Sequence, residues 1–231
     1  RSHATRQALG VFAVADGIGG HAAGEVASSL AVDVIARKAQ SELFSTALHF
    51  PLDSETVFPW LNEAVQGANT AIQTQRQKSG NDMGTTLVVA VVNGLTVWLA
   101  HVGDSRAYLI DDHEATALTN DHTLVAQLVS AGRLTEKDAK SHPQRSMVYK
   151  VVGTRAEVEA TLRMMTLQPG QTLLLCSDGL NSLVDDAEIA EIVRQVDDLP
   201  QAAVALVRAA NNTGGYDNIS VVLVQPNTMP N

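Results

Sequence analysis

The run MGTTLVVAVVNGLTVWLAHVGDSRAYLID, residues 83–111, constrains the fold of this chain more than any other stretch. It is dense in β-branched residues, and Asn93-Gly94 interrupts it with a dipeptide suited to a tight hairpin, whose central residues need a positive φ. Three antiparallel strands are predicted there. Residues 10–15, 159–166, 171–177 and 218–224 read as further strands, with a turn at Gln168-Pro169-Gly170 between the middle two.

Between these strands the apolar spacing becomes helical. From Ala23, the residues Val26, Ala27, Leu30, Ala31, Val34 and Ile35 recur on one face, and from about Pro59 to Lys78 so do Leu61, Ala64, Val65, Ala68, Ala71 and Ile72. Residues 43–58 read as a loop broken by Pro51, residues 122–131, 185–196 and 200–212 as helices, and 132–147 as a polar surface excursion. Hairpin-linked strands with helices between them favour antiparallel sheets covered by helices over a doubly wound parallel sheet.

No repeat or low-complexity linker divides the 231 residues, so a single domain is expected. With 45% apolar and 18% charged residues, and no apolar run near the roughly 20 residues of a membrane span, disorder and membrane insertion are both disfavoured. A net charge of −9 without a basic stripe argues against nucleic acid as a partner. The lone Cys176 excludes an internal disulfide and suits a reducing, cytoplasmic setting. The chain opens on Arg1 with no targeting segment, and some native N-terminal sequence is expected to precede it.

The first strand runs into FAVADGIGGHAAGE, residues 12–25, where glycines join a strand to a helix. A dinucleotide fingerprint can be laid on Gly17, Gly19 and Ala22, but the short βαβ unit it requires does not follow. The spacing from Gly19 to Gly24 is that of a phosphate loop, yet Glu25 stands where such a loop needs lysine. Asp16 adds a second negative charge, so phosphate could come here only through a cation.

Other aspartates share that setting. Asp178 follows the apolar strand of TLLLCSDG, Asp217 precedes the strand of DNISVVLV, and Asp104 and Asp121 lie in polar punctuation beside strands. Any one of them taken alone reads as a turn former before a metal ligand, since a short carboxylate bonds its own backbone. Gathered at strand ends they would repel one another by about 4 kcal/mol per pair at 4 Å and an effective dielectric near 20, which calls for a hard cation. Zinc is disfavoured, because Cys176 is alone and no histidine pair has ligand spacing.

Taken together, DGIGGH at 16–21, AGEVAS at 23–28, MGTT at 83–86, GDSRAYL at 103–109, TNDH at 119–122, SDGL at 177–180 and DNIS at 217–220 resemble the bacterial form of the metal-dependent serine/threonine protein phosphatases of type 2C. The motifs occur in the family's order across nearly the whole chain. The resemblance implies an α+β fold, a four-layer αββα sandwich of two antiparallel sheets flanked by helices. It also implies a site for two Mn²⁺ or Mg²⁺ at one end of the sheets.

By the same resemblance Asp16 bridges the two metals, Gly17 offers its carbonyl, and Asp178 and Asp217 complete the ligands. Asp121 joins Asp178 at a third, weaker metal. The implied reaction is hydrolysis of phosphoserine and phosphothreonine in proteins by a metal-activated water, without a phosphoenzyme, in opposition to a bacterial kinase. Cys176 has no part in it.

Residues 132–147 correspond to the family's flap, from which Arg145 could meet substrate, while His21 and His122 could hold water or donate a proton to the leaving group or else make structural hydrogen bonds. Asp104 and Arg106 are expected to organise the turn beneath the site, and Thr85 and Thr86 to fill their strand. One departure stands out: Arg1 and Arg6 do not match the R-x-x-N-E-D-like segment expected about sixteen residues before Asp16. Without it a catalytically impaired module that binds a phosphoprotein is the alternative.

Overall fold

A computed structural model describes residues 8–196 and 198–226, the side chain of His21 excepted. Arg1 and Arg6 lie outside the described residues. The chain begins with strands β1 (Leu9–Val14) and β2 (Gly17–Gly19), followed by helix α1 (His21–Lys38), a π-turn (Ala39–Leu43), α2 (Phe44–His49) and α3 (Ser54–Ser79). Strands β3 (Met83–Thr85), β4 (Leu87–Asn93), β5 (Thr96–Val102), β6 (Arg106–Ile110) and β7 (Ala115–Ala117) come next. The remainder is α4 (Leu124–Ser130), α5 (Glu136–Ser141), β8 (Thr161–Thr166), β9 (Thr172–Cys176), α6 (Asp178–Asn181), α7 (Asp186–Gln195), α8 (Leu199–Asn212) and β10 (Val221–Val224).

Two four-stranded antiparallel sheets, ordered β1-β4-β5-β8 and β10-β9-β6-β7, form the centre, and β2 and β3 make a separate ribbon. The period of two along each strand generates the layers. In β4, Leu87, Val89 and Val91 pack with Ala27, Ile35, Leu61 and Ile72 of α1 and α3, while Val88, Ala90 and Val92 join Leu173 and Leu175 of β9 between the sheets. On the far side Leu174 and Cys176 pack with Ile189, Val193 and Leu206 of α7 and α8. The order is therefore helix, sheet, sheet, helix, the αββα sandwich that the resemblance implies. Each fully buried branched side chain contributes about 1.5–3 kcal/mol to holding it.

Several sequence expectations need correction. The block at 83–111 holds four strands, not three, because Met83–Thr85 leaves the sheets to pair with Gly17–Gly19. Gly103, at φ +108°, then lets the chain cross from one sheet to the other between β5 and β6. Residues 43–49 are not a loop. Ala27, Ala31, Ile35, Ala39 and Leu43 are buried at intervals of four, a pattern that drifts about 40° per step around an α-helix. The wider π-turn takes up this drift and keeps Leu43 on the core as the helix continues.

The long helix α3 begins five residues before Pro59, because the Asp53 side chain accepts a hydrogen bond from the Thr56 amide at 2.9 Å and caps it. Among the described residues no helix is long and apolar enough to cross a membrane.

Candidate active site

Asp16 lies two residues past the end of β1 and is held by its backbone on both sides. Its amide donates to Thr86 Oγ1 at 3.0 Å, and its carbonyl accepts from the Thr86 amide and from Thr85 Oγ1, each at 2.8 Å. Thr86 Oγ1 in turn lies 2.6 Å from Ser105 Oγ. The two threonines therefore do more than fill their strand. They fix the aspartate while leaving its carboxylate free.

Gly17 is needed because the chain here runs against the first turn of α1. A Cβ at Gly17 would sit 2.0 Å from the Gly24 carbonyl oxygen, and one at Gly24 would sit 2.8 Å from the Gly17 oxygen. Both obstacles are backbone.

Asp178 is brought in by the second sheet, at the end of β9. Ser177 stitches this strand end to the segment before β10: its hydroxyl donates to the Asn218 carbonyl and accepts from the Ser220 amide, both at 3.0 Å. Gly179 lets that segment pass closely, since a Cβ there would lie 2.3 Å from the Asn218 oxygen. Asp217, on the same segment, is exposed, and its Oδ1 accepts from the Asn218 amide at 2.8 Å.

The carboxyls of Asp16 and Asp178 form the close pair. Burial raises the pKa of Asp16 most, and the hydrogen bond to Asp178 and the charges of Asp178, Asp217 and Asp104 raise it further. Burial also raises Asp178, opposed by the Asp16 and Gly179 hydrogen bonds, while the charges of Asp217 and Asp121 add to the shift. Both carboxyls are thereby pushed toward the neutral form when no cation is present. Asp104 is pushed up to about 7, mainly by burial and then by Asp178 and Asp121.

Among the described residues no three histidine, cysteine, aspartate or glutamate side chains are already drawn together as a ligand set. The buried Oδ1 of Asp178 nevertheless has no hydrogen-bond partner. A buried, orphaned carboxylate oxygen beside another carboxyl of raised pKa, with a third carboxylate at the rim, suits a hard divalent cation bound through oxygen.

Asp121 is placed differently. Both of its oxygens are engaged by Arg106, Nε to Oδ1 at 2.7 Å and Nη2 to Oδ2 at 2.8 Å, and Arg106 Nη1 also donates to the Tyr108 hydroxyl at 2.9 Å. Arg106 thus organises this corner from within. His122 is buried, with Nδ1 accepting from the Gly103 amide and Nε2 facing Thr161 Oγ1, each at 3.0 Å. A neutral ring with its proton on Nε2 satisfies both contacts, and burial, with Lys150 second, lowers its pKa to about 4. Its place is structural.

Arg145 is exposed on the excursion, which is closed at its base by the Thr123–Val148 bridge. The side chain of His21 is outside the described residues. Sequence reasoning missed the clamps made by Thr86, Ser105 and Ser177. A serine beside Asp178 and another beside Asp104 were the available signals; nothing next to Asp16 in sequence marks its threonine clamp.

The family model for protein phosphatase 2C matches residues 2–208. A serine/threonine phosphatase stp of Listeria innocua is 39% identical over 221 residues, which cover 95% of this chain and 85% of that protein. A serine/threonine phosphatase structure from S. agalactiae superposes with a TM-score of 0.87 at 34% identity, covering 95% of this chain and 88% of that one. The catalytic domain of the phosphatase PstP in complex with two manganese ions gives a TM-score of 0.79 at 35% identity, over 96% and 92% of the two chains.

Proposed function

The chain belongs to the protein phosphatase 2C family, and we propose that Asp16, Asp178 and Asp217, with the Gly17 carbonyl, hold the divalent cations on which its hydrolysis of phosphoserine and phosphothreonine in proteins depends. The buried, unpartnered Oδ1 of Asp178 beside Asp16 carries this assignment. Manganese is supported as the metal by the PstP complex. Magnesium serves the same all-oxygen set by chemistry.

Phosphomonoesters hydrolyse extremely slowly in water, so the site must acidify a nucleophile and neutralise phosphate charge together. Bound divalent cations supply both. The protein's part is orientation. Thr85 and Thr86 hold the Asp16 backbone, Ser177 holds the Asp217 segment against Asp178, and the Gly17–Gly24 contact sets where the Gly17 carbonyl points. His122, neutral and doubly bonded, supports the site and is not assigned as a proton donor.

A third cation at Asp121 and Asp178 would share the Asp121 carboxylate with Arg106, using the lone pairs that the arginine leaves open. Arg145 remains a candidate contact to substrate from the flap, and a serine/threonine kinase is the expected opponent in the cell. The test is hydrolysis of p-nitrophenyl phosphate and a phosphothreonine peptide with Mn²⁺, with EDTA, and by Asp178→Asn. Turnover is expected only for the unsubstituted chain with metal. Activity that survives EDTA or the substitution overturns the assignment.

A further inference from the structure

Helix α3 carries an apolar face, with Leu61, Ala64, Val65, Ala68 and Ile72, that packs into the core. Its side toward residues 153–158 is polar and holds that segment, with Arg76 Nη2 also paired to Asp82. Gln66 accepts from the Val158 amide and donates to the Ala156 carbonyl, and Gln73 donates to the Arg155 carbonyl. Arg76 Nη1 donates to the Gly153 carbonyl at 2.8 Å. Asn69 lies at the centre of this row and is wholly buried. Its Oδ1 accepts from the Gly153 amide at 2.6 Å, and its Nδ2 donates to the carbonyls of Arg155 at 2.9 Å and Ala156 at 3.2 Å.

The segment so gripped leads back to the site. Gly153 is pressed against α3, where a Cβ would meet Ile72 Cγ2 at 2.2 Å, and its φ of +94° holds the chain in a turn open to glycine. The preceding residue, Val152, exchanges two backbone hydrogen bonds with Thr85, at 3.0 and 2.9 Å. Thr85 Oγ1 donates to the Asp16 carbonyl at 2.8 Å. From Asn69 to Asp16 every link is a hydrogen bond or a peptide bond. Burying an amide is unfavourable unless it is fully bonded, and the apolar face of α3 already seats the helix.

We propose that Asn69 is a positioning residue for the active site, acting through Gly153, Val152 and Thr85 to hold Asp16 where it can meet a divalent cation. The proposal rests on the metal-site assignment above. Asn69 bonds none of the site aspartates, and its effect passes through the backbone of the 152–153 segment.

The experiment compares the full chain with Asn69→Ala and Val65→Ala, the latter deleting core volume on the same helix with no link to Thr85. Mn²⁺ affinity is measured by calorimetry, and Tm in EDTA and steady-state hydrolysis of p-nitrophenyl phosphate are followed alongside. Asn69→Ala is expected to weaken Mn²⁺ about tenfold, the low end for loss of an outer partner of a metal site, and to lower kcat. Val65→Ala is expected to lower Tm comparably while leaving Mn²⁺ affinity within about twofold.

Should Asn69→Ala fail to fold, Arg76→Gln, which frees the Gly153 carbonyl and also the Asp82 carboxylate just before β3, is expected to weaken Mn²⁺ about threefold. Asp82→Asn is the control that breaks the second contact alone and is expected to leave Mn²⁺ affinity within about twofold. Unchanged affinity in the folded Asn69 or Arg76 variant overturns the proposal, as does equal weakening by Val65→Ala. Failure of the unsubstituted chain to bind Mn²⁺ overturns the metal-site assignment and this proposal with it.

Discussion

Asp178→Asn should make the metal-free protein more stable while abolishing its response to metal. In the fold Asp178 and Asp16 are neighbouring carboxyls of raised pKa, with Asp217 and Asp104 adding negative charge nearby. Two unit charges at 4 Å repel by about 4 kcal/mol at an effective dielectric of 20, and partial protonation of the pair relieves some of this, leaving about 1–2 kcal/mol for the substitution to recover near pH 8. For a chain of this size that corresponds to a rise in Tm of about 3–6 °C.

Manganese should reverse the order. A ligand at a hundred times its Kd stabilises the fold by about 2.7 kcal/mol, so the unsubstituted chain should gain about 5–10 °C and the variant little. Differential scanning calorimetry of both proteins in EDTA and in Mn²⁺ reads all four states, and p-nitrophenyl phosphate hydrolysis runs beside it. If Asp178→Asn is no more stable than its parent in EDTA, or if Mn²⁺ stabilises both equally, the proposed charge cluster is not what holds the cation.

Other perturbations probe neighbouring parts. The pH dependence of the metal-free protein has a definite sign: Asp104 keeps its proton to about pH 7 in the fold and to about 3.8 when unfolded, so its stabilisation is complete below 3.8, declines as pH rises through 7 and is then exhausted. Tm in EDTA should therefore fall, by on the order of 5 °C between pH 5 and 8, and saturating Mn²⁺ should flatten the slope; a rising Tm in EDTA would refute this. Gly17→Ala drives a methyl into the Gly24 carbonyl and should cost about 3 kcal/mol or more, with loss of Mn²⁺ binding in calorimetry; wild-type denaturation midpoints would contradict it. Arg106→Met strips both oxygens of Asp121 of their partner and should destabilise by about 2–3 kcal/mol in urea titration, whereas a neutral result would mean that the pair stands in solvent.

The strand-end aspartates were legible because each interrupts an apolar run with a charge that no core can accept, and their repetition outweighs ordinary turn chemistry. The layered fold was legible for a related reason: a strand such as Leu87–Asn93, apolar on both faces, has to be covered on both. The clamps were not. Thr85 and Thr86 are β-branched residues in a β-rich block and look like strand filling, and only the contact with Asp16, some seventy positions earlier, gives them another purpose.

Asn69 was hidden similarly, since its partners at 153–156 are far away in sequence. The pairing of Arg106 with Asp121 joins a strand to a loop across a turn that composition does not reveal. The helix beyond residue 43 was missed because a π-turn breaks the periodicity by which helices are found.

Cys176 stands at the end of β9, two residues before Asp178, between the partner strands β6 and β10. It is wholly buried, and burial pushes its thiol up to about 12. Its side chain faces the helix layer, so no reagent can reach its sulfur until α7 and α8 lift from the sheet, and no other cysteine in the chain can react in its place. The protein therefore carries an intrinsic clock for the opening of the seam between its active-site sheet and the helices that cover it. The rate of thiol labelling under native conditions, with and without metal, reads how often that seam comes apart.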